Sequence, residues 1–114
     1  MKKVVYIFIL LLSLSASAQQ NALFDSATKA YNAGEYQSAV DIYLEILESG
    51  KHSPELYYNL GNAYYKLNQI APSIYYYEKA LLLKPNDVEI KNNLGYAQNM
   101  TLDAIDTMPE TGFA

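Results

Sequence analysis

The chain contains no cysteine, no tryptophan and no arginine, and His52 is its single histidine. No disulfide can form, so an oxidising compartment neither helps nor harms the fold. With no disulfide and no evident metal motif, an apolar core must hold a domain of this size together unaided. Affinity for a phosphate backbone comes from neutralising phosphates with Lys and Arg. This chain sets eight lysines against twelve acids, and nucleic acid is therefore not expected as a partner. Nucleophile-elbow, H-x-x-x-H, C-x-x-C and glycine-rich phosphate-loop patterns are missing too. No cofactor or metal site is expected, and His52, in a Gly50-Lys51-His52-Ser53 turn, reads as a solvated loop histidine rather than a base.

The first residues form a separate object. Lys2 and Lys3 precede an apolar run from Val4 to Leu12, extended by Ser13 and Leu14, and Ser15-Ala16-Ser17-Ala18 supplies an A-x-A pattern. That order is the layout of a secretory signal peptide. The other reading is an uncleaved membrane anchor, but spanning hydrocarbon takes roughly 18 to 20 apolar residues and the run is shorter. A lipid anchor would need a cysteine at the cleavage point. We expect residues 1–18 to be a signal peptide and the protein to be exported, periplasmic or envelope-associated. Residues 1–18 hold two of the lysines and no acid, so the remainder carries a formal charge of −6.

Shifted by 34 positions, the sequence matches itself. Ala27, Gly61 and Gly95 align, as do Leu60 with Leu94, Asn59 with Asn93, Tyr31 with Tyr65 and Tyr43 with Tyr77. A fixed period of this length signals stacked supersecondary units, none able to bury its apolar face alone. Each unit reads as two helices, placed near 20–33, 36–49, 54–67, 72–84 and 87–100. Ser53 caps the third, with Pro54 in its first turn. Gly34 and Asn68 stand at equivalent helix ends, both tolerant of left-handed backbone. Asn86 with Glu89 looks like a capping box for the last helix. Ala27, Gly61 and Gly95 are expected at close helix crossings. Pro109 and Gly112 suggest that residues 101–114 are a disordered or truncated tail, although Leu102 and Ile105 could extend the last helix.

The middle copy, Pro54-Glu55-Leu56-Tyr57-Tyr58-Asn59-Leu60-Gly61-Asn62-Ala63-Tyr64-Tyr65-Lys66 through Tyr77, Ala80 and Pro85, resembles a tetratricopeptide repeat. Ser73 replaces the family's usual alanine. The first copy keeps Ala27, Gly34, Tyr36, Ala39 and Tyr43, but has Ser26 where Leu is usual and Lys51 where the proline falls. Of a third copy only the first helix is present, with Lys91 and Gln98 at the usual apolar places. The resemblance implies an all-α fold of helical hairpins in a short right-handed superhelix. It would have about two and a half repeats, at 20–53 and 54–87, with a terminal helix at 88–100. More narrowly, the export signal, the repeats and the run from Asn93-Leu94-Gly95-Tyr96-Ala97 to Met108-Pro109-Glu110 are similar to the start of BatE-type aerotolerance proteins. Members of that family act in envelope complexes with other Bat proteins.

The family resemblance also implies a concave groove along the first helices of the units. Its lining would be Phe24, Thr28 and Tyr31 from the first unit and Glu55, Tyr58, Asn59, Asn62, Tyr65 and Lys66 from the second, with Glu89, Asn93 and Tyr96 from the third. Side-chain amides can both donate to and accept from a peptide unit, and tyrosines give large contact area with few torsions to freeze. An extended peptide held there is the expected use, and a surface that only solvates the stack is the alternative. A clamp for terminal carboxylates does not fit, because Phe24, Thr28, Glu89 and Asn93 occupy its places and only Asn59 conforms. Tyr43, Tyr57, Tyr64 and Tyr77 fall on the packed stripe. Tyr75 and Tyr76 fall off it, which suits partial exposure or a dimer contact. Glu35, Asp41, Glu45 and Glu48 read as the solvated face of their helix. The function expected is protein–protein scaffolding in the envelope, not catalysis. A glycan- or wall-binding module is the first alternative, and an enzyme without a recognisable motif the second.

Overall fold

The absence of Gly and Pro from Met1 to Asn32 leaves nothing to interrupt a helix, and none is interrupted. A computed structural model describes residues 1–106, and of residues 13–17 the backbone alone. Five helices and no strand occur among the described residues: α1 Lys2–Asn32, α2 Tyr36–Glu48, α3 Pro54–Lys66, α4 Ile70–Leu83 and α5 Val88–Asp106. They fall into two compact units, one with α1 and α2, the other beginning at His52 with α3, α4 and α5.

In the first unit, α1 packs on α2 over Ala27, Ala39, Val40, Tyr43 and Ile46, all buried. The first helix begins at Lys2 rather than near residue 20. Its stretch from Val4 to Leu12 is exposed, each side chain by more than half. No described helix is long and apolar enough to cross a membrane. The turn between the helices is set by Gly34, whose φ of 81° lies in the left-handed region. There the Glu35 amide donates to Ala30 O at 2.8 Å and the Gly34 amide to Tyr31 O at 3.0 Å, satisfying carbonyls that α1 leaves open.

The second unit repeats this turn one period on. Asn68 has φ of 59°, its amide donates to Tyr65 O at 3.0 Å and that of Gln69 to Tyr64 O at 2.9 Å. Ser53 caps α3, its hydroxyl oxygen accepting the Leu56 amide at 3.1 Å, with Pro54 following in the first turn. Where α3 crosses α4, a Cβ on Gly61 would stand 2.5 Å from the Tyr77 ring. The buried Ser73 hydroxyl donates to Gly61 O at 2.8 Å. The departure from alanine at Ser73 thus adds a hydrogen bond at the closest approach.

Three expectations need correction. At Gly95 a Cβ would meet nothing within 4 Å, so among the described residues this glycine does not stand at a close helix crossing. The cap of α5 is Asp87, whose carboxylate accepts the Ile90 amide at 3.0 Å, so the start is one residue later than an Asn86 cap implies. And α5 does not end near residue 100. It continues through Leu102 and Ile105 to Asp106, since no helix breaker occurs between Gly95 and Pro109. Residues 107–114, with Met108, Pro109, Glu110 and Gly112, lie outside the described residues.

Candidate functional site

The period that sets the helices also sets a tyrosine latch in each hairpin. In the first unit Thr28 donates its hydroxyl proton to Phe24 O at 3.0 Å. Its oxygen is also 3.0 Å from the Tyr43 hydroxyl. A threonine has a single hydroxyl proton, so Tyr43 is the donor of the second bond. The Phe24 ring meets the Tyr43 ring edge-on at 5.6 Å. Tyr31, further along α1, packs edge-on against Tyr36 with centroids 5.2 Å apart.

One period later the same places are held by Asn62, Tyr77 and Tyr58. The Tyr77 hydroxyl donates to Asn62 Oδ1 at 2.5 Å, and the Tyr58 and Tyr77 rings lie 6.0 Å apart. Here α5 joins. Asn93 Nδ2 donates to Asn62 Oδ1 at 3.0 Å and to the Tyr58 hydroxyl oxygen at 2.9 Å. Asn62 Oδ1 therefore has both lone pairs in use, and Asn93 Nδ2 both protons. What the network leaves over is directional: the Asn62 amide donors, the Asn93 Oδ1 acceptor and the Tyr58 hydroxyl proton. Reversing either amide would set donor against donor or acceptor against acceptor, so the network fixes the orientation of both. Asn62, Asn93 and Tyr58 are all half-buried.

The twelve sequence-predicted residues thus divide. Phe24, Thr28 and Tyr31 belong to the first unit, where the first two serve the Tyr43 latch. Tyr58, Asn62 and Asn93 form one hydrogen-bonded group in the second. Asn59 and Tyr65 are half-buried, Glu55, Lys66 and Glu89 are exposed, and Tyr96 is 60% exposed.

These helices reproduce a known pattern. Residues 54–87 match the sequence profile of the tetratricopeptide repeat. Residues 54–87 form a tetratricopeptide repeat. The crystal structure of YrrB, described as a TPR protein with an unusual peptide-binding site, is similar over 77% of this chain and 46% of that one, with a TM-score of 0.67 and 26% identity. The present chain therefore spans less than half the length of that relative. No curated protein sequence matches. The all-α repeat fold is that of the tetratricopeptide-repeat structure the chain resembles.

Around the repeat lie contacts that sequence reasoning missed. His52 is not merely solvated, since its Nδ1 is hydrogen-bonded to the Tyr57 hydroxyl. Tyr76 stacks on Tyr64 at 5.7 Å with planes 2° apart and on Tyr57 at 6.1 Å. Tyr75 meets Tyr76 edge-on at 5.0 Å. The Lys79 ammonium sits over the Tyr57 and Tyr75 rings at 5.6 and 5.2 Å, a cation–π arrangement. Burial, and then the neighbouring Tyr64, Tyr75 and Tyr57 phenols, raise the Tyr76 pKa above its ordinary value. The four tyrosines were visible as residues; their common stack depends on how α3 and α4 are rotated about their axes, which spacing alone does not give. The latch had a signal, because Tyr43 and Tyr77 stand one period apart and so do Thr28 and Asn62.

Proposed function

We propose that this chain is an exported scaffold of the cell envelope that holds an extended segment of a partner protein against the α3–α5 face of its tetratricopeptide repeat. The observation that carries this reading is the Asn62–Asn93 pair. A peptide unit offers one carbonyl acceptor and one N–H donor, and the pair leaves over an amide donor on Asn62 and an amide acceptor on Asn93. Tyr58 at one edge and the exposed Tyr96 on α5 supply aromatic area for side chains of the bound segment. The peptide-binding site named for YrrB supports the same use of the fold.

Export rests on Lys2-Lys3, the apolar run and the Ala16-x-Ala18 pattern. The similarity to the start of BatE-type proteins supports a place in a Bat-type aerotolerance complex. Two measurements test the reading. The processed protein recovered from an envelope fraction should begin at Gln19 by mass spectrometry. Titration of envelope-protein peptides should show binding that Asn93→Ala and Tyr96→Ala each weaken by about tenfold, the scale of one lost hydrogen-bonded contact, while the helical circular dichroism spectrum is retained. Peptide binding indifferent to both substitutions, or wall-glycan binding in its place, overturns it.

A further inference from the structure

Beside the amide pair, the α3–α5 face deepens into a small cavity of about 120 Å³ between the first turns of the two helices. Its lining includes the apolar groups of Tyr58, Pro54 and Ile90 together with the carboxylates of Glu55 and Glu89. Its charges are unequally committed. Lys84, the cation at the site, is paired with Asp87 at 3.3 Å, and Asp87 is further occupied as the cap of α5. Glu55 and Glu89 are exposed, and neither belongs to an ion pair among the described residues. A cavity lined partly by apolar groups and partly by two carboxylates outside any ion pair among the described residues is complementary to a long side chain ending in a cation, whose stem packs while its head stays wet.

Resting on the peptide-binding reading above, we propose that the partner segment carries a lysine or arginine whose side chain enters this cavity. Tyr58 joins the two sites, lining the cavity and bonding to Asn93. Along α3 the rise from Glu55 to Asn62, and along α5 that from Glu89 to Asn93, is about 10 and about 6 Å at 1.5 Å per residue. An extended chain advances about 3.3 Å per residue. The basic residue therefore falls two to three positions from the peptide unit held by Asn62 and Asn93. Acids in a first helical turn also favour the helix dipole. That role alone predicts a small stability change on neutralising them and no selection among ligands.

The test is selection of immobilised random octapeptides with the full chain, followed by affinity measurement of the peptides selected. Lys or Arg should be enriched at one position. Raising the salt concentration should weaken those peptides, and Glu55→Gln with Glu89→Gln should lower their affinity by about tenfold. Both carboxylates are exposed, so the variant should fold, and circular dichroism checks it. Selected peptides that lose affinity in Asn93→Ala yet show no basic enrichment overturn the cavity assignment and leave the peptide-binding reading intact. Peptides that are indifferent to Asn93→Ala, or no selection at all, overturn both.

Discussion

Gly61 and Gly95 align in sequence and differ in what surrounds them. Adding a methyl group at Gly61 brings it to 2.5 Å of the Tyr77 ring, inside any permitted contact. The ring must move, and its hydroxyl bond to Asn62 moves with it. Overpacking of this kind costs about 1–3 kcal/mol, more than the roughly 1 kcal/mol that alanine gains over glycine in a helix. At Gly95 the same methyl meets nothing within 4 Å, and only the helical gain remains. Gly61→Ala should therefore destabilise the protein and Gly95→Ala should stabilise it by about 0.5–1 kcal/mol. Urea unfolding of the two variants reads both signs; the same sign for both refutes the packing argument. The alignment could not distinguish these glycines, because what fills the space over each is set by the helix that follows.

At the scale of the element, helix ends decide where the site residues stand. Gly34 and Asn68 were legible because left-handed backbone restricts the residue type so sharply. The start of α5 was legible only to within one residue. Asn86 and Asp87 are adjacent, both can cap, and the choice belongs to the helix phase that places Ile90 and Ala97 in the core. That cap has a measurable signature. The Ile90 amide bond, and then Lys84, hold the Asp87 carboxyl below its ordinary pKa. A depressed acid contributes stability above its unfolded pKa and loses it as pH falls through the lower folded value. Stability should accordingly fall on acidification below about pH 4, and Asp87→Asn should flatten that part of the curve. An unchanged acid limb in the variant would contradict the assignment of the cap.

For the whole molecule, the first buried core residue among the described side chains is Ala27, and Val4 to Leu12 are exposed. Removing residues 1–18 should leave the melting temperature within a degree or two, since the lost side chains described there bury nothing. A large drop by calorimetry would show that these residues pack in the folded state. The all-helical repeat class could be anticipated from a 34-residue period, and all twelve residues expected to line the groove are half-buried or exposed. The division of labour within the site could not be anticipated. Asn62 and Asn93 are 31 residues apart, not one period, so no internal comparison pairs them; only the packing of α5 beside α3 does.

The tyrosine latch separates what keeps a hairpin closed from what the hairpin displays. A phenol in the second helix needs just one acceptor in the first, and a hydroxyl or a carboxamide meets that need equally. Thr28 spends its proton locally and shows nothing further, while Asn62 accepts the phenol and still has an NH₂ to offer. Duplication of one hairpin would carry the fastening along unchanged, after which a single exchange of threonine for asparagine would add an NH₂ group without touching the architecture.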